Sequence, residues 1–322
     1  MKKLISAVLA LILAVAACAC SGTKADDTAV RIGSLKGPTT MGLVNLMKKA
    51  DNKETTSNYE FTMETQADAI AAKIVSGDLD IALVPANLAS ALYKKTEGGI
   101  RVINVNTLGV LYCVTGDESI KSVKDLAGKE VVLTGQGTTP EYSLRYLLDK
   151  NGITDCTLNF KSEATEVAAV LAEDSTQIAV LPQPFATVAQ IQNDKLHTAF
   201  SLSDEWDAAA GGESKLLTGV TIVRADFLKD HEGLVKQFLK DHAESAKAAV
   251  DDVEGTAALV AEYGIIEKAP VAQKALPYCN IVCLTGSEMK TALSGYLQVL
   301  FDSDAKAVGG ALPADDFYYI GG

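Results

Sequence analysis

The chain has 322 residues, 48% apolar and 22% charged, with a formal net charge of −12. That length suggests two domains, and the composition excludes a disordered or collagen-like chain. The acidic balance excludes nucleic acid as a partner held by charge, and six cysteines are too few for a disulfide scaffold.

Met1-Lys2-Lys3 is a short basic start, and the uncharged run from Leu4 to Ala17 follows it. The run is short for a membrane span and suits the apolar core of a signal peptide. It closes on Val15-Ala16-Ala17-Cys18, which resembles a bacterial lipobox. The expectation is a signal peptide over 1–17, lipidation of Cys18, and a polar tether over 18–28.

From Val30 the order is strand, glycine loop, helix. Val30-Arg31-Ile32-Gly33 reads as a strand and Lys36-Gly37-Pro38-Thr39-Thr40 as a loop. Met41, Val44 and Met47 then line one helical face. The pattern returns in Glu130-Val131-Val132-Leu133, the loop Gly135-Gln136-Gly137-Thr138-Thr139-Pro140, and a helix through Leu144, Leu147 and Leu148. A second correspondence is ungapped: residues 66–92 lie on 163–189. It superposes Ala71-Ala72 on Ala168-Ala169, Ile81-Ala82 on Ile178-Ala179, Pro85 on Pro182 and Ala89 on Ala186. Repeated β-loop-α units with short apolar strands imply an α/β fold of two similar lobes with largely parallel sheets.

Between and after the repeats, 100–105, 108–114 and 218–223 read as strands, and 203–214 as a polar loop carrying the single tryptophan, Trp206. The stretches 234–253, 256–263, 270–276 and 288–301 read as helices, with no further strand. A helical tail without a sheet must pack on an existing lobe. The expected division is therefore 29–114 with 218–322 as lobe 1 and 115–217 as lobe 2. Two chain crossings, near 113–118 and 214–220, would form a hinge.

Ligands of open α/β sheets sit beyond the carboxyl ends of the strands. The loops at those ends nominate Lys36, Gly37, Pro38, Thr39 and Thr40; Pro85, Ala86 and Asn87; Gln136, Gly137, Thr138 and Thr139; and Gln183. Free N–H groups at the helix starts favour an anion or another acceptor, and Lys36 adds a positive charge. The same residues also serve any strand-to-helix turn as caps. Glu141, in a first helical turn, either complements the helix dipole or accepts a ligand amino group. Tyr278 is a candidate stacking surface.

Gly135-Gln136-Gly137 begins a dinucleotide fingerprint, but Pro140 stands at the third glycine's place. No HExxH, GxSxG or GxxxxGKS occurs. His231 and His242 lie on a helix that reads as solvated. Cys113 and Cys156 read as buried thiols, and Cys279 and Cys283 lack the partners of a zinc site. Neither a cofactor, a metal nor a catalytic residue is expected.

The lipobox, Lys36-Gly37-Pro38-Thr39-Thr40, Asp80-Ile81-Ala82 and Leu181-Pro182-Gln183-Pro184-Phe185-Ala186 together resemble the solute-binding proteins of ABC importers. The class is the nitrate/sulfonate/taurine and thiamine-pyrimidine one (SsuA/THI5-like). The resemblance implies a type II periplasmic-binding-protein fold whose loops line a ligand cleft. It implies a monomer on the outer face of the bacterial cytoplasmic membrane, held by its lipid anchor alone. Its partners would be an ABC permease and ATPase, and its cargo a sulfonate- or carboxylate-type anion or an amino-pyrimidine-like heterocycle. Many members carry Glu-Pro where this chain has Gln183-Pro184. An extracytoplasmic THI5-like enzyme, or a ligand sensor of the same fold, is the alternative.

Overall fold

The computed structural model describes residues 28–321. The expected signal peptide, Cys18 and most of the tether lie outside the described residues. Among the described residues no helix is long and apolar enough to cross a membrane.

The chain opens with β1 (Val30–Leu35), α1 (Pro38–Met41), α2 (Val44–Asp51), β2 (Tyr59–Glu64), α3 (Ala67–Ser76), β3 (Ile81–Pro85), α4 (Ala86–Lys95) and β4 (Ile100–Leu108). It continues with β5 (Leu111–Thr115), β6 (Glu130–Leu133), α5 (Thr139–Lys150), β7 (Thr157–Phe160), α6 (Ala164–Glu173), β8 (Ile178–Pro182), α7 (Phe185–Gln192), β9 (His197–Ser201) and α8 (Leu202–Ala210). The last part is β10 (Leu217–Arg224), α9 (Ala225–Asp230), α10 (Glu232–Asp251), α11 (Val253–Glu262), α12 (Ala269–Ala275), β11 (Ile281–Leu284) and α13 (Gly286–Ser303).

Two sheets result. Their strand orders are β11-β4-β10-β3-β1-β2 and β7-β6-β8-β5-β9. In the first, β1 pairs in parallel with β2 and β3; in the second, β6 pairs in parallel with β7 and β8. The ungapped repeat appears as matching elements: α3 with α6, and β3 with β8. Register follows it, with Ile32 opposite Ile81 and Val131 opposite Ile178. Strand β3 is buried from Ile81 to Val84 because helices cover both faces of its sheet, which is why it reads as an unbroken apolar run.

Four sequence expectations need correction. The sheets are mixed rather than largely parallel: β10 runs antiparallel to β3 and β4, and β5 to β8 and β9. Strand β5 belongs to the second sheet, where it holds the place that β10 holds in the first, so the first crossing comes at Gly109–Val110 and not at 113–118. The tail contributes a strand after all, β11 on the edge of the first sheet. The stretch around Trp206 is helical, capped by the Ser201 hydroxyl accepting from the N–H groups of Ser203 and Asp204. Trp206 is fully buried.

The apolar core runs across the lobe boundary on one side. Ile70, Val84 and Leu293 of the first lobe share a cluster with Leu133, Leu147 and Trp206 of the second. On the other side the lobes keep separate clusters, one under α2 and α10 and one under α6 and α7. At the far end of the first sheet Asp80, almost wholly buried, is gripped by Arg31 through Nε at 2.9 Å and Nη2 at 2.6 Å.

Candidate functional site

The two crossings are adjacent. The Gly109 N–H donates to the Leu216 carbonyl at 2.7 Å. The Gly109 carbonyl accepts from Ser203 Oγ at 2.9 Å and from Asn280 Nδ2 at 2.5 Å. A Cβ at position 109 would stand 2.5 Å from Ser203 Oγ and 2.6 Å from Leu216 Cγ. Only glycine fits without a shift, because the crossings are in contact there.

In front of these crossings is a cavity of about 210 Å³. The strand ends of the two lobes face each other across it, as Pro85 and Pro182. Thr139 and Pro140 form a third wall, and Gly109–Leu111 with Leu216–Thr218 form the floor. The lining carries no charged side chain. Helix α13 closes one side: the Tyr296 hydroxyl donates to Thr139 Oγ1 at 3.2 Å, and the Tyr142 hydroxyl to Asp304 Oδ2 at 3.1 Å. The Trp206 ring meets Tyr296 at 5.8 Å and Tyr146 at 4.3 Å.

Of the sequence-nominated residues, Pro85 and Thr139 line this cavity. Thr39 and Thr40 are buried with their hydroxyls already committed: Thr39 donates to the Leu35 carbonyl at 3.1 Å, and Thr40 bonds Ser34 Oγ and the same carbonyl. Thr138 donates to the Gly135 carbonyl at 2.7 Å. Lys36, Gln136, Gly137 and Thr138 are exposed, Gly37 and Pro38 partly so. Ala86 is buried in the first turn of α4, and Asn87 turns away to the Ala307 carbonyl at 3.4 Å. None of these last residues lines the cavity.

Glu141 is also engaged. Its Oε2 accepts from the Gly137 N–H at 2.7 Å and its Oε1 from Arg145 Nε at 2.6 Å. Burial alone would raise its pKa, but the Gly137 N–H and the Arg145 guanidinium outweigh that and hold the carboxyl below its usual range. Gly135 and Gly137 take φ of 79° and 70°, so the glycine pair serves the left-handed turn that aims this N–H at Glu141. The helix-dipole role is filled, and each carboxylate oxygen already accepts one hydrogen bond from the protein.

Gln183 and Tyr278 lie elsewhere, in a separate groove of about 450 Å³ between α7 and α12. The floor residues Gly109, Val110, Leu216, Leu217 and Thr218 were not among the nominated ones. Their signal in sequence is faint, since a crossing strand reads like any other apolar run.

The chemistry-bearing side chains outside the cavity are subdued. His242, expected on a solvated face, is fully buried. Its Nδ1 lies 3.0 Å from Asn104 Nδ2, and desolvation pushes its pKa down to about 4. Cys113 and Cys279 are buried, Cys156 and Cys283 half-buried, and all are free thiols. Burial raises the pKa of each, Cys156 and Cys283 to about 11. Among the described residues no group of three or more His, Cys, Asp or Glu could hold a metal ion.

The fold is shared with known proteins. A crystal structure of an ABC transporter from Parabacteroides distasonis superposes with a TM-score of 0.76 at 24% identity, over 91% of this chain and 99% of that one. The periplasmic aliphatic sulphonate-binding protein SsuA of Escherichia coli gives 0.67 at 14%, over 87% and 93%. The desulfurization enzyme DszB gives 0.60 at 13%, over 90% and 96%. These likenesses establish the periplasmic-binding-protein fold that the sequence led us to expect. No curated protein sequence matches the chain. Residues 60–255 match the model of one protein family over more than half of the chain, and by that match the chain belongs to the NMT1/THI5-like family.

Proposed function

We propose that this protein is a lipid-anchored substrate-binding protein that captures a small molecule between its lobes and delivers it to an ABC importer. The observation that carries the reading is the cavity between Pro85 and Pro182, floored by both crossings and closed by Tyr296 on Thr139. A ligand there touches both lobes, so it binds more tightly when they are closed, and that difference drives closure. Cys18 would supply the anchor and the apolar run before it the export signal. One acyl chain alone binds a membrane only marginally, so dual acylation at Cys18 is part of the proposal.

The lining narrows the two ligand classes left open by the sequence. Three prolines, Val110, two leucines of the second crossing and Leu111 surround the space, and Glu141 is already paired. An anion would enter without a cation in the lining, at a desolvation cost. A compact uncharged heterocycle fits better than a sulfonate. A thermal-shift screen over both classes tests this: a neutral ligand at about 100 times its Kd raises stability by about 2.7 kcal/mol. Stabilisation by alkanesulfonates alone would overturn the ligand class. Binding without any shrinkage of the radius of gyration would overturn closure.

An enzyme of the same fold is the second reading, supported by the likeness to DszB. The four described cysteine thiols have pKa values raised by burial, which leaves them poor nucleophiles at neutral pH. Turnover of a ligand found in the screen would establish this reading instead.

A further inference from the structure

Strand β4 is covered along one side by β10 and only in part along the other. On that other side β11 pairs with it at Thr107 and Val105. The C-terminal tail returns further along, where Tyr318 bridges Val102 and the Tyr319 N–H donates to the Val102 carbonyl at 2.9 Å. Between these contacts, at Ile103 and Asn104, no strand covers the edge among the described residues. The pairing with β10 breaks register at the same place. Thr221 faces Asn104 and Ile222 faces Val102, so Ile103 is an extra residue. A bulge of this kind bends the strand and re-aims its side chains.

A groove of about 370 Å³ opens over this gap. Helix α10 lines it through Lys236, Leu239 and Lys240, the tail through Tyr319 and Ile320, and the strands through Ile103 and Cys283. Most of its apolar surface is aliphatic. Ile320 is 55% exposed, and covering an isoleucine left that far in water is favourable. The lining carries two charges, both positive: Lys236 and Lys240, one turn apart on α10. Lys236 is balanced by Glu232 at 3.2 Å, and Glu232 also accepts from the Tyr319 hydroxyl at 2.9 Å. Lys240 is exposed and has no ion-pair partner among the described residues. Thr285 and Gly286, at the start of α13, also line the groove, and Thr285 makes no side-chain capping bond there. The positive end of the helix therefore adds to the lysines. In a chain of net charge −12, an aliphatic groove whose charges are all positive is complementary to an anion with an apolar tail.

We propose that this groove is a site for a monomeric, medium-chain fatty carboxylate, separate from the cavity between the lobes. The chain lies on Ile103, Leu239 and Ile320, and the carboxylate is held at Lys240 beside the start of α13. The two parts of the site select the class together. Acetate leaves the aliphatic surface uncovered, and an aliphatic alcohol or amine leaves Lys240 without a counter-charge. Burial pushes the Cys283 thiol up to about 11, so it stays protonated and serves as apolar surface.

Octanoate is the probe, since it stays monomeric at millimolar concentration. It is titrated into the folded protein while isoleucine methyl signals are followed by NMR, with Ile320→Ala identifying the Ile320 signal. The expected result is a saturable shift of the Ile103 and Ile320 methyls. Lys240→Gln should weaken octanoate about threefold, the worth of one exposed charge. Ile320→Ala should weaken it about fivefold through lost apolar contact. Both changes are at exposed positions, so the melting temperature without octanoate should stay put. Added salt should weaken octanoate and leave 1-octanol unaffected, and octylamine should bind least. Thr139→Ala, in the cavity between the lobes, should leave octanoate affinity unchanged, so this site stands or falls apart from the transport reading. No methyl shift at millimolar octanoate would overturn the proposal. So would 1-octanol binding as tightly as octanoate with Lys240→Gln indifferent to both. Adsorption to phosphatidylglycerol vesicles that Ile320→Ala abolishes, with octanoate silent, would make the groove a membrane contact instead.

Discussion

The Tyr296 hydroxyl donates to Thr139 Oγ1 across the lobe boundary. Tyr296 sits on α13 of the first lobe, and Thr139 opens α5 of the second. The ring is almost fully buried against Trp206, and burial raises the phenol pKa, so the group stays a donor through neutral and mildly alkaline pH. Tyr296→Phe keeps the ring and removes the donor. The closed arrangement should lose about 1 kcal/mol relative to the open one, about fivefold in population. Small-angle scattering should report a larger radius of gyration without ligand, and the emission of Trp206, the single tryptophan, should move to longer wavelength. Unchanged scattering and emission would show that this bond does not hold the lobes.

At the hinge, Gly109→Ala should act on both stability and geometry. The new methyl meets Ser203 Oγ and Leu216, and overpacking of this kind costs about 1–3 kcal/mol. The two crossings must separate to admit it, so ligand affinity should fall together with the melting temperature. A variant that melts lower but binds normally would place the strain outside the hinge motion.

The threonines of the two glycine loops should part company. Thr40→Ala removes a buried hydroxyl bonded to Ser34 and the Leu35 carbonyl. It should cost about 1 kcal/mol of stability and leave the Kd of the folded protein unchanged. Thr139→Ala, in the cavity lining, should weaken the cleft ligand. Equal effects of the two on affinity would show that the first loop reaches the ligand after all.

Asp80 and Arg31 should respond unequally to loss of the other. Arg31→Met leaves a carboxylate that is almost wholly buried, with Arg224 Nη2 3.6 Å away as its remaining cation. That should cost about 3 kcal/mol by denaturant titration. Asp80→Asn leaves two partly exposed guanidinium groups that water can solvate, so its cost should be smaller. The pair lies at the opposite end of β3 from Pro85, so folded-state ligand affinity should be the same in both variants. The reverse order of stabilities would mean that Arg224 alone satisfies Asp80.

His242 gives the fold an acid-sensitive element. Desolvation lowers its pKa to about 4 in the folded chain, against about 6.5 when unfolded. Between those values the unfolded state takes up a proton that the folded state refuses. The contribution is therefore intact above about pH 6.5, is lost as pH falls towards 4, and changes no further below that. The loss should amount to about 3 kcal/mol. His242→Gln should flatten this part of the stability–pH curve. A His242 signal, identified by its loss in His242→Gln, that titrates near 6.5 in the folded protein would refute the assignment.

Much of the fold was legible because it is locally encoded. An apolar run, a proline at its end and an alanine-rich helix form the same unit twice, and the shared offset survives as α3 on α6 and β3 on β8. Helix period, strand length and turn chemistry are properties of neighbouring residues, so reading along the chain recovers them. Two cleft positions, Pro85 and Thr139, were legible for the same reason: they lie where a strand ends and a helix begins.

What only the tertiary structure decided depends on residues far apart in the chain. Leu111–Thr115 could have paired in either sheet, and β8 with β9 claims it because the crossing comes two residues after β4 ends. Ile281–Leu284 is too short to read as a strand until the edge of β4 is there to receive it. Trp206 reads as part of a polar loop because its neighbours include Asp, Glu and Ser, yet Tyr146 and Tyr296 bury it from two different lobes. Whether a threonine hydroxyl, a glutamate or a glutamine amide is free for a ligand follows from what lies within about 3 Å of it. For Thr40, Glu141 and Gln183 that distance is set by the folded backbone, so residue type alone nominates them as binding groups and three-dimensional packing determines which are already spent.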